Sequence, residues 1–541
     1  VYFFSWLVRH KCGNTNCGTM EDAIKEDVLY TTFTFCPYCT FTQGKKRRWM
    51  DAKVVGAEDK VYILTECPTH GKRRTLYCSS LAFFKRSMAY DPRAPAMNHA
   101  TSTNRNRLSD MEELASKMQF HAPEEPLPLV CTVDLFQDGA YVEDALVMEK
   151  VQAFTALYLR QKDSNFFLKL TAMLSPNTNT LNRKVQLVLD HLPQGSLVLV
   201  ESSPDRLVAL INHPDSVLLN SGVFPAVKLF IKAGAEVEAE DELLRYCNGL
   251  RNINEISTCV TVHLSLPLPN LDRMLSIVKA RPGIIRALFL NQERPPKSVV
   301  QLLGRGPNAQ ESPLVDMYEL LSKLQADTND ALCVDDFIPL SACSLLEPFL
   351  ALLGWGRFTI RPSPMCGVVT CLVNSKQYMN TPLSRLVDIP KLYSAMQPLV
   401  NEIDSQQRPR GITLAMAQKI HKALQSCLIS GVDMPTNLVS LQMQKGRPRA
   451  VINEGVVWQS QFVVVHGLMD VGLVDLKRRA RCCSLGCSLR PSASPRSGSA
   501  SPTSASPPGS PLAPGSPQAL PGDRPWAARL HFTADCTAGY I

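Results

Sequence analysis

At 541 residues, 45% hydrophobic, with a formal net charge of +8, the chain is long enough for roughly two to four domains and has the composition of an ordinary soluble globular protein. Its 18 Cys are scattered or paired, without the dense framework of a small secreted scaffold, so they point to a cytoplasmic or other reducing intracellular compartment and to metal-binding thiols. The apolar opening from Val1 to Val8 stops at Arg9, short of the roughly 20 residues that a spanning helix needs, and no secretory signal or later membrane segment is legible. The first residue is Val rather than Met, which reads as a fragment or a gene-model product.

The first region, residues 1–88, is a Cys-rich knuckle. Cys36-Pro37-Tyr38-Cys39 is followed after 27 residues by Cys67-Pro68-Thr69-His70-Gly71, with Cys78 beyond. Two Cys separated by two residues hold a metal from one tight turn, and a second pair completes a tetrahedral site. The residues between the pairs read as a β-hairpin turning at Gly56-Ala57-Glu58-Asp59, so the region resembles a ribbon with Cys36, Cys39, Cys67 and either His70 or Cys78 as ligands. Zinc and a rubredoxin-type mononuclear iron both accept such a thiolate set. Reduced structural thiols without metal are the plainer alternative, and Cys12 with Cys17 can supply a second site.

Residues 89–122 read as a linker ending in a short amphipathic helix, Asp110 to Phe120, closed by Pro123, Pro126 and Pro128. From 123 to 310 strand and helix signals alternate. Strands are expected at 129–135, 166–174, 196–200, 216–220, 256–266 and 283–290, and helices at 142–160, 183–192, 204–211, 224–233, 271–280 and 297–303. Six successive strand–helix units with nearly continuous apolar strands predict an α/β domain, a partial or closed (β/α)6 barrel, with an open doubly wound sheet as the alternative. A further amphipathic helix is expected over 313–326, with Leu314, Met317, Leu320, Leu321 and Leu324 as a core stripe.

Residues 311–487 read as a C-terminal domain of mixed strands and helices, and 488–541 as a Ser/Pro-rich tail that cannot bury a core, either phosphorylatable or translated non-coding sequence. Basic runs at Lys45 to Arg48 and Lys477 to Arg481 are solvated faces first and contacts for nucleic acid or an acidic partner second. Asp335 and Asp336 are candidates for acid–base or metal chemistry, although adjacent carboxylates on a strand point to opposite sides, so a solvated strand start is the simpler reading. His466 with Asp470 can face a ligand, and Cys427 reads as a core thiol. Leu303 to Pro307 is a turn, since it lacks the Lys and Ser/Thr of a phosphate loop.

Several segments together resemble the radical S-adenosylmethionine enzymes typified by archaeal tetraether lipid synthase. They are the Cys-Pro knuckle, the α/β region, Asp335 to Pro339, Pro364 to Thr370, Pro382 to Asp388, and His466-Gly467-Leu468-Met469-Asp470 with Asp475, Arg479 and Cys482. The resemblance implies a barrel holding a [4Fe–4S] cluster and S-adenosylmethionine, a radical reaction on a lipid or other unactivated carbon, and auxiliary iron–sulfur ligands at Cys343, Cys366 and Cys482. The family needs three Cys spaced by three and two residues after the first strand. Here Cys131 is followed by no other Cys through Ala140, and the Gly-Gly-Glu turn is replaced by Leu174 to Thr178. An auxiliary Cys before Cys366 is also absent, and only Cys536 remains as a remote terminal ligand. The expectation is therefore a radical S-adenosylmethionine-like metalloprotein that has lost its radical-generating cluster. Its alternatives are an active enzyme with ligands from elsewhere and a zinc-ribbon interaction protein.

Overall fold

The N-terminal unit is a four-stranded antiparallel sheet, β1 (Asp27–Phe35), β2 (Trp49–Ala57), β3 (Lys60–Cys67) and β4 (Gly71–Cys78), paired in that order. This computed structural model describes residues 27–35, 49–91, 130–137, 140–160, 167–172, 177–193, 196–219, 222–250, 256–292, 315–345, 363–375, 377–405, 414–430, 432, 439–444, 447–452 and 460–466. Glu58 and Asp59 both take positive φ, as a two-residue hairpin turn demands, so β2 and β3 form the expected hairpin. One face of the sheet is apolar, with Val54, Val61, Ile63 and Tyr77 buried. Helix α1 (Leu81–Met88) covers it, started by Ser80, whose hydroxyl accepts from the Phe83 amide. Phe84 stacks on Tyr30 at 6.4 Å and meets Tyr77 edge-on at 5.7 Å.

The larger unit is built on six parallel strands, β5 (Val130–Asp134), β6 (Phe167–Thr171), β7 (Leu197–Ser202), β8 (Val223–Ile231), β9 (Thr258–Leu264) and β10 (Ile285–Gln292). The connecting helices are α2 (Asp144–Arg160), α3 (Thr178–Leu189), α4 (Pro204–Ile211), α5 (Glu236–Gly249) and α6 (Asp272–Lys279). The six strands lie side by side in chain order without reversal, so successive crossovers of one hand put the helices on one face. That order rules out the doubly wound alternative, which needs a switch point. The unit is a singly wound α/β sheet, and no strand pairing among the described residues joins β5 to its far end.

Three elements differ from the sequence reading. Val217–Leu219 is a 3-10 turn rather than the fourth strand, and the expected helix at 224–233 is strand β8. Apolar, largely β-branched or aromatic residues with buried Val227, Leu229 and Ile231 alternate there with Lys228 and Phe230, a period of two that outweighs helix propensity. The helix that follows, α5, was not expected. Its buried Ala239, Leu243, Tyr246 and Cys247 do fall at helical spacing, and Glu236 and Glu238 suit its N-terminal turn. The helices expected at 110–120 and 297–303, the basic runs and the tail lie outside the described residues.

Helix α7 (Met317–Asp327) follows, closed at its start by a capping box of Asp316 and Glu319, with Met317, Leu320, Leu321 and Leu324 buried as the core stripe. The Ser79 amide donates to Asp316, and Phe83 meets Tyr318 at 5.6 Å, so this helix carries the ribbon. Strands β11 (Ile338–Pro339), β12 (Gly367–Val373) and β13 (Thr381–Pro382) come next, then helices α8 (Ile389–Ser405) and α9 (Leu414–Ser426) and the hairpin β14 (Val439–Gln444) with β15 (Arg447–Ile452). The last strand, β16 (Ser460–His466), pairs parallel with β10 and antiparallel with β12. Strands from the region expected as a C-terminal α+β domain therefore extend the central sheet to ten strands. Cys427 is fully buried beside α9, as a core thiol should be.

Candidate metal centre and inner face of the sheet

Cys67 ends β3 and Gly71, at φ +75°, begins β4. The positive φ at Gly71 lets the chain turn back at once, and the His70 amide donates to the Cys67 carbonyl at 3.2 Å. This turn holds Cys67 Sγ 3.6 Å from His70 Nδ1. Zinc bonds of about 2.3 Å to sulfur and 2.0–2.1 Å to nitrogen at a tetrahedral angle require a separation of about 3.6 Å. The pair thus has the spacing of two ligands on one ion. Cys67 is buried and His70 is exposed, which puts the pair at the rim of the ribbon.

Strand register brings the end of β1 to the same rim. Ala52 pairs with Thr65 and Phe35 pairs with Trp49, so β1 runs out at the end of the sheet where β3 meets its turn. Cys36 is the next residue after Phe35; Cys36 and Cys39 themselves lie outside the described residues.

Cys78, the other candidate for the fourth ligand, is at the wrong end. It pairs with Val61 while Cys67 pairs with Gly71, so seven residues of strand, about 23 Å, separate it from the turn. Its side chain is fully buried and donates to the Ser80 carbonyl at 3.3 Å. Burial, with the Asp316 carboxylate nearby, pushes its thiol up to about 12. Cys78 is a core thiol.

Two of the three residues expected to hold an auxiliary cluster are among the described residues. Cys343 lies in the 3-10 segment Leu340–Leu345 and Cys366 is buried just before β12, while Cys482 is outside the described residues. Burial, with the Cys371 thiol beside it, pushes Cys343 up to about 11. Among the described residues no three His, Cys, Asp or Glu side chains form a group able to hold a metal. The radical-generating site fits no better, because β5 carries Cys131 with no second or third thiol after it. Asp335 is exposed and pairs with Arg86, whereas Asp336 is buried and bound by Arg385; neither faces the other as an acid–base pair.

The sheet itself has one polar face. Gln461 reaches the α6 side, donating to the carbonyls of Val278 at 2.7 Å and Ile285 at 2.9 Å. Val463 and Val465 share that helix-covered face and are fully buried. Residues of the opposite parity line the inner face, which is only partly filled: Phe230 is 48% and Phe462 45% exposed. At the C-terminal ends of the parallel strands this face turns polar. Phe230 pairs with His263 and His263 with Asn291, and the register of β10 with β16 puts His466 next, with Gly367 beyond. His263 stacks on Phe230 at 5.1 Å, His466 packs against Phe289 at 5.7 Å, and His466 Nδ1 is 2.6 Å from Asn291 Oδ1. One step back, Lys228 Nζ is 3.4 Å from the buried Glu201 carboxylate. Ligands of parallel α/β sheets bind at this end of the strands.

Of this row, sequence reading singled out only His466. Glu201, Asn291 and His466 each follow an apolar run such as Val463-Val464-Val465, and a polar residue after such a run is the signal that finds them; His263, after Val260-Thr261-Val262, carries a weaker one.

Comparison with known proteins adds to the ribbon. The HMPTM N-terminal zinc ribbon domain family matches residues 28–79, which take in the four ribbon strands, so the N-terminal region is similar to a zinc ribbon. No curated protein matches the chain. Among solved structures, 2-chloromuconate cycloisomerase from Rhodococcus opacus 1CP is 12% identical, covering 49% of this chain and 71% of its own, at a TM-score of 0.21. A racemase from Streptomyces coelicolor A3(2) with bound magnesium is 9% identical, covering 53% and 88%, at a TM-score of 0.17. Likeness at those scores carries no argument about this chain. No helix among the described residues is long and apolar enough to cross a membrane.

Proposed function

We propose that this chain is a metalloprotein whose N-terminal ribbon holds one zinc ion through Cys36, Cys39, Cys67 and His70, on a radical S-adenosylmethionine-like α/β scaffold without its radical-generating cluster. The observation that carries the reading is the 3.6 Å approach of Cys67 Sγ to His70 Nδ1, with β1 ending at Phe35 on the same rim. When bound, zinc supplies no redox chemistry there; it ties the two ribbon loops together, and folding and ligation are one process in so small a unit. His70 would hold the ion through its imidazole Nδ1, oriented by the Gly71 turn, and the buried Cys67 would supply a thiolate from the other side of that turn.

The scaffold half of the reading rests on parallel strands following one another in chain order and on what the first of them lacks. Cys131 alone cannot hold a cubane that needs three thiolates and one open iron, and Leu174 to Thr178 has no carboxylate for the amino group of S-adenosylmethionine.

Anaerobic purification followed by metal and sulfide analysis and an S-adenosylmethionine cleavage assay tests both halves. About one zinc per chain, no acid-labile sulfide and no cleavage is the expected result. Iron in the ribbon overturns the zinc assignment, and cluster iron with cleavage overturns the degenerate scaffold in favour of an active enzyme on a lipid or other unactivated carbon. Zinc together with retention by nucleic acid or an acidic partner at physiological salt moves the function to an interaction module.

A further inference from the structure

The inner face of the sheet holds a pair of side chains that the ribbon does not use. His466 and Asn291, each 2% exposed, sit on adjacent strands and hydrogen-bond to each other at 2.6 Å. That bond satisfies one polar atom of each. The remaining atoms, His466 Nε2 and Asn291 Nδ2, are buried and meet no partner among the described residues. Buried polar groups are nearly always paired, and an unpaired one costs its full desolvation. Two such atoms on one hydrogen-bonded pair point to a ligand.

The chemistry of that ligand follows from the pair. With Asn291 Oδ1 accepting from Nδ1–H, the outward atoms are an acceptor, Nε2, and a donor, the Asn291 amide. If the amide is turned over, Nε2–H donates and Oδ1 accepts. With one proton on the ring, either arrangement of the pair presents one outward donor and one outward acceptor. An aromatic ring and a closely packed glycine flank the pair. Phe289 lies against the His466 ring at 5.7 Å, and across the strand stands Gly367, where a Cβ would come within 3.0 Å of His466 Cδ2 and 2.9 Å of Leu340 Cδ1. The row is open at its other end, where Phe230 is exposed.

We infer that the C-terminal ends of β10 and β16 form a binding site for a planar amide-type ligand, a lactam or heterocycle that offers N–H and C=O on one edge to His466 and Asn291. The site goes beyond the ribbon's metal and does not depend on it.

The test uses the full chain with 15N-labelled histidine and the fragments 2-pyridone and 1-methyl-2-pyridone. The His466 resonance is assigned by its loss in His466→Phe. 2-Pyridone is expected to move the His466 Nε2 signal saturably, and the methylated fragment, which has lost the N–H, to bind about tenfold more weakly or not at all. Asn291→Leu is expected to weaken 2-pyridone similarly while leaving the zinc content unchanged. Equal shifts from the two fragments, or none from either up to their solubility, overturn the site. If His466→Phe fails to fold, the His466 resonance is assigned instead by its shift in Asn291→Leu, and the fragment comparison on the unmutated protein still decides the matter. Loss of zinc leaves this readout in place, so failure of the metal reading and failure of this one are separately visible.

Discussion

Arg385 grips Asp336 at two points, Nη2 to Oδ2 at 2.6 Å and Nε to Oδ1 at 3.1 Å, while Ser384 Oγ donates to the same carboxylate at 2.7 Å and the Cys333 amide at 2.8 Å. Asp336 is 5% exposed, and its neighbour Asp335 has a side chain 88% exposed. Two adjacent carboxylates with the same sequence context thus have opposite roles: one clasps the segment before β11 to the one after β13, and the other lies at the surface against Arg86.

Asp336→Asn is expected to cost about 1.5–3 kcal/mol, since it weakens charge-assisted bonds to a buried group. Asp335→Asn should stay within about 0.5 kcal/mol, as an exposed pair does. Urea denaturation of the two variants beside the parent checks the contrast; equal effects would remove the clasp.

Replacing Cys36 and Cys39 together by Ala, or Cys67 by Ser, should release zinc and open the ribbon to proteolysis. Cys78→Ala should lower stability by about 1–2 kcal/mol, as deletion of a small buried side chain does, with full zinc retention. Metal analysis with limited proteolysis of the three variants separates ligand from core thiol, and zinc loss from the Cys78 variant would reverse their assignment.

Burial pushes the thiols of Cys78 to about 12 and of Cys247, Cys343 and Cys371 to about 11. A thiol whose folded value lies above its unfolded one, near 8.5, binds more protons in the native state. Its contribution is complete below about pH 8.5 and is lost as pH rises through the folded value. Stability should therefore be level up to about pH 8.5 and then fall, each thiol taking roughly 1.4 kcal/mol per pH unit within its window. Urea midpoints between pH 7.5 and 10.5 test this, and Cys78→Ala should show a shallower fall.

Gly367 stands where a Cβ would come within 3.0 Å of the Val465 carbonyl as well as of His466 and Leu340. Gly367→Ala is expected to cost about 1–3 kcal/mol, as overpacking does, and to move the His466 side-chain resonances. A stability change below about 0.5 kcal/mol with unmoved resonances would mean that the strands can spread there.

The parts of this fold that were legible are those set by local periodicity. The β2–β3 hairpin, α4, α6 and the core stripe of α7 each follow from a turn or a spacing contained within their own residues. The polar row is different, because Asn291 and His466 are 175 residues apart and only strand order makes them neighbours. Cys67 and His70 were legible as a pair since one turn contains both, but the choice between His70 and Cys78 needed the register of β3 on β4. At β8 the period of two carried by Val227, Leu229 and Ile231 was present in the sequence, and a helix was expected there all the same. Cys343 and Cys366 came from likeness of short segments, which carries no information about whether a third ligand arrives.

The seventh parallel strand, β16, is threaded between β10 and β12 from residues 460–466, long after β10 has ended at Gln292. During synthesis, then, the growing sheet waits with the β10 edge bare until the chain is at least 466 residues long, and β12, made earlier, has no neighbour to dock on its inner side. A splice product ending before Ser460 would carry both raw edges permanently, a shape prone to self-association rather than a smaller working protein.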